Sequence, residues 1–315
     1  MNRILVRTPT HRLEWPDCRN NIYIKREDLL PFSFGGNKVR IALEFFRDMK
    51  AKSKDCIIGY GASRSNLVRA VANMASAYLP MGGGVLIVSP SENDGSRIQT
   101  FNSKIAGLCS AKFVYCSKNN VADTVQSVIT SCEESGLKPY YINGDKYGRG
   151  NEAVPVRAYY GVYQEILSQE QELGTEFQYI FLPVGTGMTI AGLVAGKNDF
   201  HGNADIIGIS IARPQQQAVS AVQRYVSAFL GKASDGITVC DEYICGGYGL
   251  YDAEITNTVR NMLRLNGVAL DTTYTGKAFY GMCRYLEQHN ISGKNILFIH
   301  TGGTPLFFDG LKDFS

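Results

Sequence analysis

The sequence predicts an α/β fold with mostly parallel sheets, and three observations carry that expectation. Short apolar runs rich in Val, Ile, Phe and Tyr recur along the chain, and stretches with apolar residues at helical spacing separate them. The runs are continuous rather than alternating, as strands are when helices cover both faces of their sheet. The chain has 315 residues, 44% hydrophobic and 19% charged, enough for one long domain or two modest ones around a sizeable core.

Taken in order, Met1 to Pro9 contain no sustained apolar stretch. A helix is expected over residues 38–50, with Arg40, Glu44, Arg47 and Asp48 on one side and Ala42, Phe45, Phe46 and Met49 on the other. Residues 55–60 form an expected strand, followed by a loop and by a helix whose apolar positions are Leu67, Val71, Met74, Ala75 and Tyr78. Further strands are expected at residues 85–88, 111–115, 179–184, 206–210 and 295–300. Residues 144–155, rich in Gly, Asn and charge, are the most linker-like stretch and mark an expected domain crossing. No internal repeat or low-complexity tract interrupts the pattern.

Composition narrows the function classes. Lys and Arg number 32 against 29 acids, and the resulting +3, dispersed along the chain, argues against a nucleic-acid partner. No stretch approaches the roughly 18 apolar residues of a membrane span, so a cytoplasmic protein with no membrane partner is expected. Eight scattered cysteines form no Cys-x-x-Cys pair, and His11, His201, His289 and His300 form no metal-ligand spacing. Reduced thiols and no catalytic metal are expected.

Lys38 is the first candidate for chemistry. It follows Gly35-Gly36-Asn37 and, at about 100° per residue, shares the helix face of Ala42, Phe45, Phe46 and Met49, where it is the only charge. Desolvation and the positive end of the helix dipole both lower the pKa of an amine there, which suits Schiff-base chemistry. The bland alternative is a lysine that reaches water past the helix end.

Two loops at helix starts suit anions. Gly61-Ala62-Ser63-Arg64-Ser65-Asn66 opens the helix through Leu67, with Ser65 or Asn66 as its cap and more donors than one cap uses. Gly185-Thr186-Gly187-Met188-Thr189 lies between the strand at 179–184 and a helix expected from near Ile190, and its converging N–H groups and two hydroxyls suit a phosphate. It is neither a Walker A loop nor a dinucleotide fingerprint, so a small phosphorylated cofactor fits better than ATP or NAD. Ordinary capped turns remain the alternative for both.

Several pieces in order resemble one family. They are Ile24 to Leu29, Gly35-Gly36-Asn37-Lys38-Val39-Arg40, Ser65-Asn66-Leu67-Val68-Arg69, Gly185 to Gly192, Tyr248-Gly249-Leu250, Tyr274-Thr275-Gly276-Lys277 and His300-Thr301-Gly302-Gly303. Their order and spacing resemble the pyridoxal-phosphate enzymes of fold type II, the tryptophan synthase β-like group. Within it they resemble the D-cysteine desulfhydrase and 1-aminocyclopropane-1-carboxylate (ACC) deaminase family.

The resemblance implies two α/β/α domains with mostly parallel twisted sheets and the active site between them. The larger, cofactor-binding domain is expected at residues 1–48 with 151–315, and the smaller at 49–150. It implies pyridoxal 5'-phosphate as cofactor, a small amino acid as substrate, and a homodimer. Carried over by position, Lys38 holds the cofactor covalently and forms the catalytic set with Ser65, Tyr248 and Tyr274. Asn37, Gly185, Thr186, Gly187, Met188, Thr189 and Thr301 bind the cofactor, with Thr301 near the pyridine nitrogen. Ser63, Arg64, Ser65, Asn66, Tyr248 and Tyr274 receive the substrate.

The deaminases resemble Tyr-Glu-Gly-Lys and His-Leu-Gly-Gly at the last two motifs, whereas this chain has Thr275 and Thr301, as the desulfhydrases do. A neutral hydroxyl beside the pyridine nitrogen leaves it largely unprotonated and weakens the electron sink, which suits β-elimination better than cyclopropane opening. The expected activity is therefore a desulfhydrase-like lyase. An ACC deaminase, a β-replacement synthase and a non-catalytic binding protein remain as alternatives. Three departures from the family touch the site: Gly144 to Asn151 in place of a Gly-Gly-Ser-Asn-Pro-like motif, Arg64 in place of a neutral residue, and Met188 in place of a small one.

Overall fold

The computed structural model describes residues 6–16, 18–79, 84–90 and 99–311. Its strands and helices are, in chain order, β1 (Thr10–Arg12), β2 (Asn21–Arg26), α1 (Asn37–Ala51), β3 (Cys56–Tyr60), α2 (Asn66–Tyr78), β4 (Val85–Pro90), α3 (Phe101–Leu108), β5 (Lys112–Cys116), α4 (Val121–Glu134) and β6 (Pro139–Tyr141). They continue as α5 (Ala153–Leu173), β7 (Tyr179–Val184), α6 (Met188–Asp199), β8 (Asp205–Ser210), α7 (Gln215–Leu230), β9 (Thr238–Cys240), α8 (Ala253–Asn266), α9 (Thr275–Gln288), β10 (Asn295–His300) and α10 (Thr304–Gly310). Two compact units divide them, residues 38–155 and residues 6–37 with 156–311.

The unit of residues 38–155 is built on a four-stranded sheet in the order β5-β4-β3-β6, parallel throughout. Cys56 of β3 meets Cys132 of α4 at an Sγ···Sγ distance of 3.8 Å. A Cβ at Gly59, of opposite side-chain parity on the same strand, would lie 3.7 Å from Val71 of α2. Helices therefore cover both faces, and the strand interiors Ile57, Ile58, Ile87 and Val88 are fully buried.

The other unit carries a six-stranded sheet in the order β1-β2-β10-β7-β8-β9, parallel except for β1 at one edge. A side chain at Gly208 of β8 would press on Ile190 of α6, while Ile209 lies against Gly281 of α9, so α6 and α9 cover opposite faces. Phe181, Ile209, Phe279 and Phe298 are fully buried at the centre of its core. All five parallel strands end at the same edge of this sheet, where the loops after β2, β7, β9 and β10 carry most of the residues singled out from the sequence.

The structure departs from the expected elements in informative ways. The strand β2 was not anticipated, because Lys25 interrupts its apolar run. Yet Lys25 is fully buried, its Nζ meeting Glu165 Oε2 at 3.1 Å and Gln169 Oε1 at 3.0 Å. The expected polar side of α1 is only partly solvated: Arg47 is exposed, but Arg40 and Glu44 are buried, as are Val39, Ile41 and Leu43. The helix is enclosed almost all round, so an apolar stripe does not distinguish Lys38. Residues 144–150 form a closed turn, with an antiparallel bridge between Gly144 and Gly150.

Candidate active site

The segment before Lys38 is held in an unusual backbone. Ser33, Phe34, Gly35 and Gly36 all have positive φ, at 48°, 56°, 64° and 95°. Glycine is required at the last two, since a Cβ on Gly35 would collide with the Asp28 carbonyl and one on Gly36 would lie 2.8 Å from the Thr301 oxygen. The next residue, Asn37, donates its backbone N–H to Thr301 O (3.0 Å) and its side-chain amide to Thr189 Oγ1 (2.8 Å). One residue thus ties the loops after β7 and β10 together. Lys38 follows, half-buried, in the first helical turn. Desolvation pulls its amine down to about 8 from the ordinary lysine value, which leaves an appreciable neutral fraction near neutrality.

The loop after β7 leaves polar groups unused. Gly187, at φ 95°, begins α6 without a side chain to cap the helix, so the first-turn N–H groups gain no side-chain acceptor there. Thr186 Oγ1 is buried with no hydrogen-bond partner among the described residues, and an atom in that state calls for a ligand. Met188 is buried, so its contribution to an anion is its backbone N–H, and α6 starts at Met188 rather than near Ile190.

The loop after β3 is organised differently. Ser65 caps α2, its Oγ accepting Val68 N–H at 3.3 Å. Thr100 Oγ1 donates to Ser63 O (2.6 Å), and Asn102 Nδ2 donates to Arg64 O and to Asn66 Oδ1 (both 3.0 Å). Arg69, fully buried, donates from Nε to Asn102 Oδ1 at 2.9 Å, and burial pulls its guanidinium down to about 10. Thr100, Asn102 and the buried role of Arg69 went unread in the sequence. No local pattern marks an asparagine whose partners lie more than thirty residues away.

At the sheet edge beyond β9, Tyr248 and Tyr274 meet with their Oη atoms 2.7 Å apart and their rings T-shaped at 5.9 Å. The Tyr274 ring also flanks Gly185, within 3.6 Å of its Cβ position. The backbone below Tyr274 is set by Asp271, which accepts from Tyr274 N (2.7 Å) and from Thr275 Oγ1 (2.8 Å). Thr301 is buried beside His300, whose Nδ1 accepts Gly302 N–H at 3.1 Å while Nε2 donates to Ala269 O at 3.1 Å. Burial holds the His300 pKa below the ordinary histidine value, consistent with a neutral ring in that tautomer. Another lysine of these motifs, Lys277, has its three N–H donors on backbone carbonyls and none left over.

An amine of lowered pKa in one unit, and an orphaned buried hydroxyl and an uncapped helix start in the other, each suit one part of a phosphorylated aldehyde cofactor, and both units are parallel α/β. These features define a class, and over residues 2–302 the chain matches and belongs to the family of pyridoxal-phosphate dependent enzymes. Its cofactor is pyridoxal phosphate. The D-cysteine desulfhydrase of Yersinia pestis (strain Pestoides F) is 31% identical over 296 residues, covering 91% of this chain and 88% of that protein. The D-cysteine desulfhydrase of Klebsiella pneumoniae (strain 342) is 33% identical over 302 residues, with the same coverage. Among solved structures, an ACC deaminase homologue matches with a TM-score of 0.83 and 25% identity, covering 99% of this chain and 94% of its own. A hydrogen sulfide-producing enzyme from Fusobacterium nucleatum shares the fold at a TM-score of 0.67 and 16% identity, with 96% and 97% covered.

Proposed function

We propose that the chain eliminates the β-substituent of a small amino acid, with D-cysteine as the reference substrate. The observation that carries the reading is Lys38, whose amine is held near 8 at the start of α1. The desulfhydrases at 31% and 33% identity support the substrate class. Pyridoxal phosphate supplies, when bound, an electron sink that makes the α-C–H of an amino acid acidic.

The chain's own residues do the rest. Lys38 Nζ accepts the α-proton. The N–H groups and hydroxyls of Ser63, Arg64, Ser65 and Asn66 bind the substrate carboxylate at the start of α2. The paired Oη atoms of Tyr248 and Tyr274 supply a proton to the departing sulfur, because a hydrogen-bonded phenol pair holds a proton that either oxygen can release. Thr186, Gly187, Met188 and Thr189 bind the phosphate, with Gly185 opening the loop and Asn37 orienting Thr189. Thr301 would offer a neutral hydroxyl to the pyridine nitrogen. The balance is D-cysteine plus water giving pyruvate, ammonia and hydrogen sulfide: the C–S and C–N bonds break, and water supplies the keto oxygen.

The solved ACC deaminase homologue favours a second reading, a deaminase giving 2-oxobutyrate. Against it, the Thr275 hydroxyl accepts from Asp271 N and donates to Asp271 Oδ2, both at 2.8 Å, which commits it to the start of α9. Eight thiols without a disulfide support a cytoplasmic location, and the resemblance to the desulfhydrase group supports a homodimer, which sedimentation checks.

The deciding experiment supplies purified holoenzyme with D- and L-cysteine, D-serine, ACC and O-acetylserine plus a second nucleophile. Sulfide and pyruvate in equal amounts from D-cysteine are expected. Release of 2-oxobutyrate from ACC at a higher kcat/KM, or a substituted amino acid in place of pyruvate, overturns the reading.

A further inference from the structure

Lys277 is a fully buried lysine that the proposed reaction leaves without a task. It lies in the first turn of α9, where aligned peptide dipoles disfavour a cation. Burial lowers its pKa, while Cys245, Asp271 and Asp252 pull the other way. Its Nζ donates to Ile211 O at 3.0 Å, Ile244 O at 2.7 Å and Gly247 O at 2.7 Å. The first carbonyl follows β8 and the other two follow β9, so a single ammonium gathers both loops, which Asp241 Oδ2 also joins by accepting the Gln215 N–H at 2.7 Å.

The loop after β9 needs such a tie. Cys245, Gly246, Gly247 and Gly249 all have positive φ, at 49°, 82°, 142° and 77°. A segment this rich in glycine loses much entropy on ordering, and three carbonyl oxygens converging on one point repel each other unless a cation sits among them. Gly247 directly precedes Tyr248, and Tyr274 lies one turn before Lys277. The ammonium therefore fixes the loop that carries one tyrosine to the helix start that carries the other.

We propose that Lys277 is a positioning residue, a tethered cation in a cage of backbone carbonyls that holds residues 244–250 so that Tyr248 meets Tyr274. Truncating it opens the cage to a small monovalent cation, because oxygens at 2.7–3.0 Å around one centre suit an ion of ammonium or potassium size. Only the link to turnover rests on the proposed role of the two tyrosines; the cage stands independently of the substrate.

The test compares wild type, Lys277→Ala and Lys277→Met in ammonium, potassium and tetramethylammonium chloride at equal ionic strength. Amide exchange over residues 244–250 and the melting temperature are read first. Lys277→Ala should lose protection of that segment in tetramethylammonium and regain it, with a higher melting temperature, in ammonium or potassium. Wild type should show no cation preference. Lys277→Met keeps the stem without the charge and should stay unprotected in every salt; it decides the matter if Lys277→Ala does not fold. Native protection of residues 244–250 in Lys277→Met, or an equal cation response in wild type and Lys277→Ala, overturns the cage. With D-cysteine, Lys277→Ala should lose about 100-fold in kcat, with KM changed less, and ammonium should restore at least about tenfold. A restored segment with unrestored turnover overturns the positioning role. A wild type that does not turn over D-cysteine counts against the proposed function and leaves the cage measurements standing.

Discussion

The loops at residues 61–66 and 185–189 have the same construction, each following a parallel strand and each opening a helix. They differ in what their polar groups do. Ser65 caps its own helix, and Thr100 and Asn102 hold the carbonyls of Ser63 and Arg64. In the other loop Thr186 Oγ1 is buried without a partner among the described residues, and α6 starts on an uncapping glycine. A buried polar group left unsatisfied costs about 1–3 kcal/mol, which a permanently bound anion removes. One loop is completed by the protein's own side chains, and the other leaves a buried hydroxyl unused, which suits the resident phosphate proposed for it.

The largest effect that bears on this contrast comes from Lys38. Lys38→Ala should lower turnover by about 10³-fold or more, with cofactor still held through its phosphate. Borohydride should fix the cofactor to Lys38 in wild type and to no residue in the variant; a peptide map showing another modified lysine breaks the assignment.

Asn102→Ala strikes the self-completed loop. It removes the acceptor of Arg69 Nε and the donor to Arg64 O, so a loss of about 2–3 kcal/mol in unfolding free energy is expected, together with a raised KM. A denaturation midpoint equal to wild type would mean that the loop does not depend on α3.

The third prediction uses pH. The Lys38 amine is neutral above about 8, so the rate at which apoprotein takes up cofactor covalently should climb about tenfold between pH 7 and 9 and level off beyond. The sign for stability follows, because a lysine whose folded pKa is lowered disfavours folding while it is charged. Apoprotein should therefore gain stability as pH rises from about 8 toward the unfolded lysine value. Uptake that keeps rising past pH 10 would show an ordinary amine.

Smaller effects separate the two loops most directly. Thr186→Val should weaken cofactor binding about tenfold while leaving the apoprotein as stable as wild type or slightly more so, since it deletes a hydroxyl that has no partner. Ser65→Ala should do the reverse, costing about 1 kcal/mol of stability through the lost cap and leaving cofactor affinity unchanged. Equal behaviour of the two variants in melting and in cofactor titration would erase the distinction between the loops.

Much of this is legible in the sequence alone. The strands at 179–184 and 295–300 were expected with the bounds they have, because buried central strands of a parallel sheet read as unbroken apolar runs. The loop at 185–189 declared itself by two glycines and two threonines between a strand and a helix. Four strands carry no such signal. β1, β6 and β9 have three residues each, too few for a period, and β2 carries a lysine that only distant Glu165 and Gln169 make tolerable.

What the sequence determines by itself, then, is local: hydrophobic continuity, turn chemistry and the donors a loop contains. What the tertiary structure decides is which of those donors are already used. Asn102 reaches Arg64 across 38 positions, and Lys277 reaches Ile211 across 66. The acceptors at the far end are peptide carbonyls, identical at every residue of the chain, so nothing in the order of side chains marks which of them will converge on one ammonium.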